Sequence, residues 1–199
     1  MLIPIYRVIS SQFPVDTLTG DVEMGYCIGL TTNSAGQTVA RKVDAGGTVT
    51  GAVTNVVGIS GDRKRASEAY EWVNRVSDSG DETAGSGKIT VYHGGGEFWV
   101  DVDDSAVTTP LGSAIKGVVS SAATITVGAK LYPADDNGGT KAAGQMDSTQ
   151  VNSIDAVAQV LSDAVTLESG IPGEYEPGSS VDYADPSVPR TWVQIKLLV

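Results

Sequence analysis

Short runs of apolar and β-branched residues, each bounded by glycine-rich or polar turns, recur along most of this chain. Runs of this length and composition predict β-strands. The candidate strands are 2–9, 25–31, 37–43, 52–60, 88–93, 97–102, 115–120, 124–127, 130–132, 156–161 and 191–199. Two pairs, 25–31 with 37–43 and 88–93 with 97–102, are joined by short turns and predict hairpins. No run between the strands has the character of the crossover helix that a parallel sheet requires.

One segment has a different hydrophobic period. Four apolar residues recur there at the spacing of one helix face: Ala69, Trp72, Val73 and Val76. This spacing predicts a short helix over 66–77. Tyr70 and Trp72 also alternate as on a strand, so a strand is the alternative for this segment.

These patterns predict a mostly β fold, a small β-barrel or sandwich-like domain with one short helix in an insertion and long surface loops. The length of 199 residues fits a single domain over 1–199. Around the strands we place an N-terminal arm at about 1–10, the helix-bearing insertion at about 61–85, and an excursion at about 168–190. The excursion is rich in proline, glycine and acidic residues, which is typical of an irregular surface segment.

Charge and cysteine content exclude several classes of function. The chain has 24 acidic against 13 basic residues and a formal net charge of -11, which repels phosphate, so we expect no nucleic-acid partner. Cys27 is the only cysteine, so no intrachain disulfide supports the fold. The first residues lack the pattern of a signal peptide, and no run approaches the roughly 18 apolar residues of a membrane helix, so we expect no membrane partner.

Two motifs suggest catalysis, but each lacks residues that its chemistry requires. The segment 84–90 ends like a phosphate-binding loop, but Glu82 replaces the opening glycine and Ile89 replaces the hydroxyl that would hold magnesium. His93 and the three glycines after it have the letters of an esterase oxyanion loop. The chain has no Gly-x-Ser-x-Gly nucleophile elbow to accompany them, and His93 is its only histidine. We interpret His93 as a histidine at the edge of a hairpin.

Acidic residues leave two alternatives open. Three aspartates within 101–104 are the type of ligand that calcium prefers, but Ala106 and Gly112 occupy positions where an EF-hand needs glycine and glutamate. A different calcium site, built there or at 135–136, stays open. A pair of carboxylates for glycoside hydrolysis cannot be read from sequence, because their spacing is three-dimensional. Nothing points to such a pair, so we expect no enzyme, with no catalytic, cofactor or metal residues.

The succession of features resembles the head decoration, or cement, proteins of tailed bacteriophages. The resemblance covers roughly residues 25 to 165. The matching segments are the hairpin ending at 39–43 and the segments 53–59, 87–95, 97–102, 127–141 and 156–161. It implies a small β-barrel-like domain without an active site. The insertion at about 61–85 and the excursion at about 168–190 depart from the family pattern.

The resemblance also implies a location and a partner. It places the chain on the outside of the virion capsid, assembled in the host cytoplasm, bound to the major capsid protein of the same phage, and homo-oligomeric, as a trimer in the family's usual form. Attachment to the assembled shell would stabilise it. Whether the family's trimer is kept is left open by the two departures.

The candidates for partner contacts are the segments that a single compact barrel does not readily accommodate. We expect the apolar arm and the excursion to reach neighbouring subunits. The candidate contact residues are Leu2, Ile3, Ile5, Tyr6, Tyr70, Trp72, Tyr175 and Tyr183. A tail or adhesion module, with the Tyr and Trp of the insertion contacting a sugar or receptor, is the first alternative function. A carboxylate-based polysaccharide hydrolase is the second.

Overall fold

The computed structural model describes the chain in eight stretches, and every element below lies within them. The described residues are 2–4, 9–16, 22–62, 88–103, 117–121, 123–136, 141–167 and 190–199. The predicted helix over 66–77 and the excursion fall almost wholly outside these residues. Both stay predictions.

The regular structure of the described residues consists of strands. They are β1 (Leu2–Pro4), β2 (Ile9–Pro14), β3 (Cys27–Thr32), β4 (Thr38–Lys42), β5 (Gly58–Ser60), β6 (Lys88–His93), β7 (Glu97–Asp101), β8 (Lys130–Pro133), β9 (Met146–Asp147), β10 (Ala158–Val160), β11 (Val165–Leu167) and β12 (Arg190–Leu197). The mostly β fold class is therefore confirmed.

The strands form two antiparallel sheets. Sheet I has the order β1-β7-β12-β10-β8-β9, with β11 also paired to β12. Sheet II has the order β2-β6-β5-β3-β4. Each sheet thus combines strands that lie far apart in the sequence, so long-range pairing holds both of them.

Both sheets curl toward closure. In sheet II, Val15 forms a parallel bridge to Ala40, and the Asp16 N–H donates to the Ala40 carbonyl at 3.1 Å, joining β2 to β4. In sheet I, Val119 bridges Val102, just after β7, and Met146 of β9. Closure of this kind leaves fewer unpaired backbone groups at the sheet edges, which makes the fold barrel-like.

Two hydrophobic clusters fill the fold. The larger lies on the inner face of sheet I, and Cys27, Val43 and Ile59 from sheet II complete it. The smaller lies inside sheet II and includes Ile28, Ala40, Ile89 and Val91. Cys27 and Ile28 are adjacent in β3 and enter different clusters, as expected where successive side chains of a strand point to opposite faces.

A buried carboxylate joins the two sheets where β4 and β8 end. Asp44 is 0% exposed, and it accepts hydrogen bonds from the N–H groups of Thr48 at 2.7 Å, Val49 at 2.9 Å and Asp136 at 3.0 Å. The N–H of Ala45 donates to the carbonyl of Ala134 at 3.0 Å beside it. Asp44 follows a strand of sheet II and Asp136 follows a strand of sheet I, so this carboxylate fixes one sheet against the other.

The pKa of Asp44 reflects these donors. Burial acts to raise the pKa, because it penalises the charged form. The backbone N–H groups of Asp136, Val49, Thr48 and Gly46 stabilise the carboxylate and together outweigh burial. The pKa of Asp44 consequently lies below its ordinary value, and the carboxylate is charged at neutral pH.

Several strands predicted from the sequence are confirmed. The hairpin of β3 and β4 forms with Ile28 opposite Lys42 and Thr32 opposite Thr38. The predicted strands at 130–132, 156–161 and 191–199 correspond to β8, β10 and β12. Of the predicted strand 52–60, only Gly58–Ser60 forms a strand, as β5.

The hairpin predicted for 88–93 and 97–102 is wrong, although both strands exist. β6 pairs with β2 and β5 in sheet II, whereas β7 pairs with β1 and β12 in sheet I. Gly94, Gly95 and Gly96 between them all have positive φ values, of 76°, 102° and 117°, a conformation that glycine adopts readily. The Gly94 N–H donates to the Val199 carbonyl and the Gly96 carbonyl accepts from the Leu197 N–H. These groups therefore bond to the end of the chain and not across a hairpin.

The predicted single strand over 2–9 is also wrong. Its two ends belong to different sheets, with β1 beside β7 and β2 beside β6. The strand β2 was missed because Ser10, Ser11 and Gln12 interrupt its apolar pattern. The short strands β9 and β11 were missed too. Of the predicted strand 115–120, the described part, 117–120, contributes only the bridges at Val119, and the predicted strand 124–127 lies outside the strands.

We predict that Asp44→Asn destabilises the fold. The amide nitrogen of asparagine cannot accept the hydrogen bonds that one carboxylate oxygen now receives, so a buried N–H donor loses its acceptor, at a cost of about 1–3 kcal/mol. Urea unfolding at pH 7 measures the change. Asp155→Asn is the matched control, because Asp155 is exposed and its substitution removes the same charge. Equal unfolding free energies for the two variants would contradict the role of Asp44.

Candidate interaction surface

The outer face of sheet I presents polar and aromatic side chains together. Strand β12 shows which side chains form this face. Its residues Val193, Ile195 and Leu197 point into the larger cluster, on the opposite side of the sheet. Gln194 and Lys196 alternate with them and therefore point outward. We call this side of β7, β12, β10 and β8 the outer face.

A row of side chains crosses four strands of the outer face. The pairing places Glu97 of β7 opposite Lys196 of β12, Lys196 opposite Gln159 of β10, and Gln159 opposite Lys130 of β8. We call these four residues the cross-strand row. Lys130 and Lys196 are exposed, while Glu97 and Gln159 are half-buried. The row therefore changes from an acidic residue at β7 to a basic one at β8.

The two lysines of the cross-strand row are free of ion pairs within the described part of the chain. The ion pairs found there join Arg41 to Asp16 and, at 3.1 Å, Lys141 to Asp147. Glu97 stands opposite Lys196 in the pairing without approaching it to ion-pair distance. Both ammonium groups are thus available to an external anion.

Two aromatic residues flank the lysines. Trp99 lies opposite Gln194 and is therefore diagonal to Lys196, and Tyr132 lies two residues after Lys130 on the same side of β8. Both rings are half-buried. Aromatic side chains that are partly exposed next to polar groups are enriched in protein interfaces, and they also stack on sugars.

Trp192 continues the outer face toward β11 but is covered. Its pairing partners are Asp101 of β7 and Val165 of β11, and its side chain is only 1% exposed. Among the described residues, the indole N–H has no hydrogen-bond acceptor. A buried donor without an acceptor costs about 1–3 kcal/mol.

Two buried aspartates at the end of β7 accept hydrogen bonds from the backbone of 117–118. Asp101 accepts from the Val118 N–H at 3.2 Å, and Asp103 accepts from the Gly117 N–H at 3.1 Å. Gly117 approaches so closely that an added Cβ would lie 2.4 Å from the Asp103 nitrogen. Within the described residues, no group of three or more His, Cys, Asp or Glu side chains is placed to hold a metal ion.

Asp147 is held as a carboxylate like Asp44. Burial acts to raise its pKa, but the Thr149 N–H, at 2.7 Å from Oδ1, and the ammonium of Lys141 outweigh burial and lower it. A general acid of a glycoside hydrolase needs a raised pKa. The shifts of Asp44 and Asp147 have the opposite sign, which counts against either residue as that acid.

The sequence motif around His93 has a structural explanation. The Nε2 atom of His93 lies 2.9 Å from the Ser11 hydroxyl, across the pairing of β2 and β6. Such a pair is within the reach of a nucleophile and its base. The N–H of Gly94, which an oxyanion hole would use, is taken by the Val199 carbonyl at 2.6 Å. The glycines therefore serve the passage from sheet II to sheet I.

The contact residues predicted from the sequence are only partly located. Leu2 lies opposite Val100 and Ile3 opposite Trp99, so the start of the chain pairs with its own sheet I. The other six lie outside the described residues: Ile5, Tyr6, Tyr70, Trp72, Tyr175 and Tyr183.

Sequence reasoning missed the outer face. The alternation in 191–199 separates Trp192 and Gln194 from Val193 and Ile195, which is a usable signal. The strands that stand beside β12 could not be read from that alternation.

Comparisons with protein-family models, curated proteins and solved structures found no match to this chain. In the part of the chain that the structure describes, no helix has the length and apolar character needed to cross a membrane.

We predict that acid weakens the fold through Asp44 and Asp147. Their pKa values in the folded chain lie below the value of about 3.9 for unfolded aspartate. Their stabilisation is therefore complete above the unfolded value and is lost as the pH falls through the folded values. Urea unfolding from pH 7 to pH 2 should show a decline that begins near pH 4. The double variant Asp44→Asn, Asp147→Asn should show a shallower decline, and an unchanged slope would contradict this origin.

We predict that Cys27 is unreactive while the chain is folded. Burial raises the pKa of its thiol to about 12, and a smaller opposing effect comes from a backbone hydrogen bond. Thiolate, not thiol, is the nucleophile, so iodoacetamide at pH 8 should modify Cys27 only in urea concentrations that unfold the chain. Mass spectrometry measures the modified fraction, with free cysteine as the control. Rapid labelling without urea would contradict the burial.

Proposed function

We propose that this chain is a structural protein of a phage virion that binds the outside of the assembled capsid and stabilises it. Its partner is the major capsid protein of the same phage, and it acts without catalysis, as a homo-oligomer. The family's trimer is the form we propose. Assembly takes place in the host cytoplasm, and the mature location is the capsid exterior.

The observation that carries this proposal concerns where the family resemblance falls. The segments that resemble head decoration proteins contain β3, β4, β5, β6, β7, β8 and β10, which belong to both sheets. The resemblance thus lies in the framework that encloses the larger hydrophobic cluster and supports the outer face. The segments that depart from it, at about 61–85 and 168–190, lie almost entirely outside the described residues.

The physical effect of such a protein follows from mass action. A ligand that binds only the expanded shell stabilises that state by about 2.7 kcal/mol per site when its free concentration is 100 times Kd. Because a shell repeats the same site many times, modest contacts add up to a large resistance to disruption. Oligomers strengthen the effect, since linked subunits bind neighbouring sites at high effective concentration.

A tail or adhesion module is the second candidate. The outer face favours it, because Trp99 and Tyr132 accompany the amides of Gln159 and Gln194, and this combination also suits a sugar. Decoration is preferred because the resemblance extends through both sheets. The two proposals differ in location, since an adhesion module belongs in tail fractions and a decoration protein in filled heads.

We predict that the purified chain pellets with expanded, empty capsids and raises the temperature at which they disrupt. Co-sedimentation measures attachment, and calorimetry of the shells measures stabilisation. Unexpanded shells are the control, and they should bind less because the site is completed by expansion. A chain that neither binds expanded shells nor changes their melting would refute capsid decoration. Light scattering of the free chain tests the trimer.

A further inference from the structure

We infer that the outer face of sheet I is the surface that docks on the partner, and that the partner presents a carboxylate-rich protein surface to it. This inference rests on the proposed function for the identity of the partner, the capsid shell. The chemistry of the surface is argued from the cross-strand row and its neighbours.

The first argument is the placement of charge. The chain carries a net charge of -11, yet Lys130 and Lys196 are exposed on one face and free of ion pairs within the described part of the chain. Neighbouring strands are about 4.8 Å apart, so these lysines, separated by one strand, have backbones roughly 10 Å apart. That spacing lets two carboxylates of one partner surface pair with both. Charge complementarity therefore selects an acidic partner.

The cross-strand row has an acidic end and a basic end. Glu97 stands at its β7 end and Lys130 at its β8 end, so the side-chain charge changes sign along the row. An acidic surface placed over β7 meets Glu97, whereas the same surface placed over β12, β10 and β8 meets the lysines. The row thus fixes the orientation of docking as well as its position, which is the main effect of interfacial charge.

Two aromatic side chains that can anchor a partner lie beside the lysines. Trp99 and Tyr132 are half-buried, so part of each ring is open to contact and the rest is held by the sheet. Tryptophan and tyrosine are among the residues that contribute most to protein–protein binding. Because their strands are hydrogen-bonded on both sides, they need little ordering on association.

A protein surface is preferred over an acidic polysaccharide for two reasons. The outer face belongs to a sheet that curls toward closure, so it is convex and does not enclose a single chain of sugars. The lysines are also placed beside aromatic residues on a regular lattice of strands, which suits a broad contact. Polysaccharide binding is retained as an outcome that the experiment can reveal.

The test compares charge reversals at three exposed lysines. Lys130→Glu and Lys196→Glu alter the cross-strand row, while Lys88→Glu makes the same change on β6 of sheet II. Thermal unfolding verifies that all three variants fold. In co-sedimentation with expanded capsids at low ionic strength, each of the first two should raise Kd roughly three- to tenfold, with Lys88→Glu near wild type. Equal affinities for all three variants would overturn the inference.

A second arm separates this inference from the proposed function. Oligoglutamate, a carboxylate-rich peptide, and hyaluronate, a carboxylate-bearing polysaccharide, are titrated into the wild type and the three variants by calorimetry. If wild type ignores the capsids but binds oligoglutamate through Lys130 and Lys196, capsid decoration fails and the acidic-protein surface stands. Absence of lysine-dependent oligoglutamate binding in that case overturns the surface as well. Hyaluronate bound more than tenfold more tightly than oligoglutamate through the same lysines would replace the protein partner with a glycan.

Discussion

The position of sheet II against sheet I depends on the hydrogen bonds that the buried Asp44 carboxylate accepts. Burying a charge is expensive unless hydrogen bonds replace the lost water, and here the N–H groups of Thr48, Val49 and Asp136 do so. The donors come from the loop after β4 and from the segment after β8. One group thereby stabilises a tight loop and connects sheet II to sheet I. The hydrogen bonds of Gly144, which receives from the Cys27 N–H and donates to the Val43 carbonyl, extend this junction.

The geometry of the outer face is set by the pairing of the strands within sheet I. With β7, β12, β10 and β8 hydrogen-bonded in a fixed register, the spacing of Lys196 and Lys130 is set by the backbone. The outer face is therefore present before any partner arrives, and little conformational entropy is lost in forming it. The indole N–H of Trp192, which has no hydrogen-bond acceptor among the described residues, is a local cost within sheet I.

Sequence reasoning recovered what local pattern determines. The hairpin of β3 and β4 and the strand β12 were found because their alternation and turns are continuous in sequence. The pairing of β6 and β7 was predicted wrongly because a glycine turn between two strands can either close a hairpin or carry the chain from one sheet to another. The choice was made by Leu197 and Val199, about a hundred residues later, which bind the backbone of the turn. Strand β2 was missed because its outward and edge residues are polar and only Phe13 marks its inner side.

The outer face could not be predicted from the sequence, because it too depends on contacts between distant residues. The lysines of the cross-strand row are 66 positions apart in sequence, from 130 to 196, and only the register of β10 between them brings them together. A shift of one residue in either ladder would turn one lysine inward, so local alternation cannot predict the row. The predicted contacts at Leu2 and Ile3 came instead from hydrophobicity. The structure explains part of that signal by pairing β1 with β7.

The net charge and the cross-strand row act over different distances. At physiological ionic strength the Debye length is about 8 Å, so the repulsion between an acidic chain and an acidic partner is largely screened until the surfaces approach. At contact, the charges that decide the energy are the nearest ones, and along the cross-strand row these are Glu97 at the β7 end and Lys196 and Lys130 beyond it. An orientation that places β7 over an acidic surface brings Glu97 to it and is disfavoured. In the proposed docking, the two lysines therefore favour the orientation in which β12, β10 and β8 cover an acidic surface.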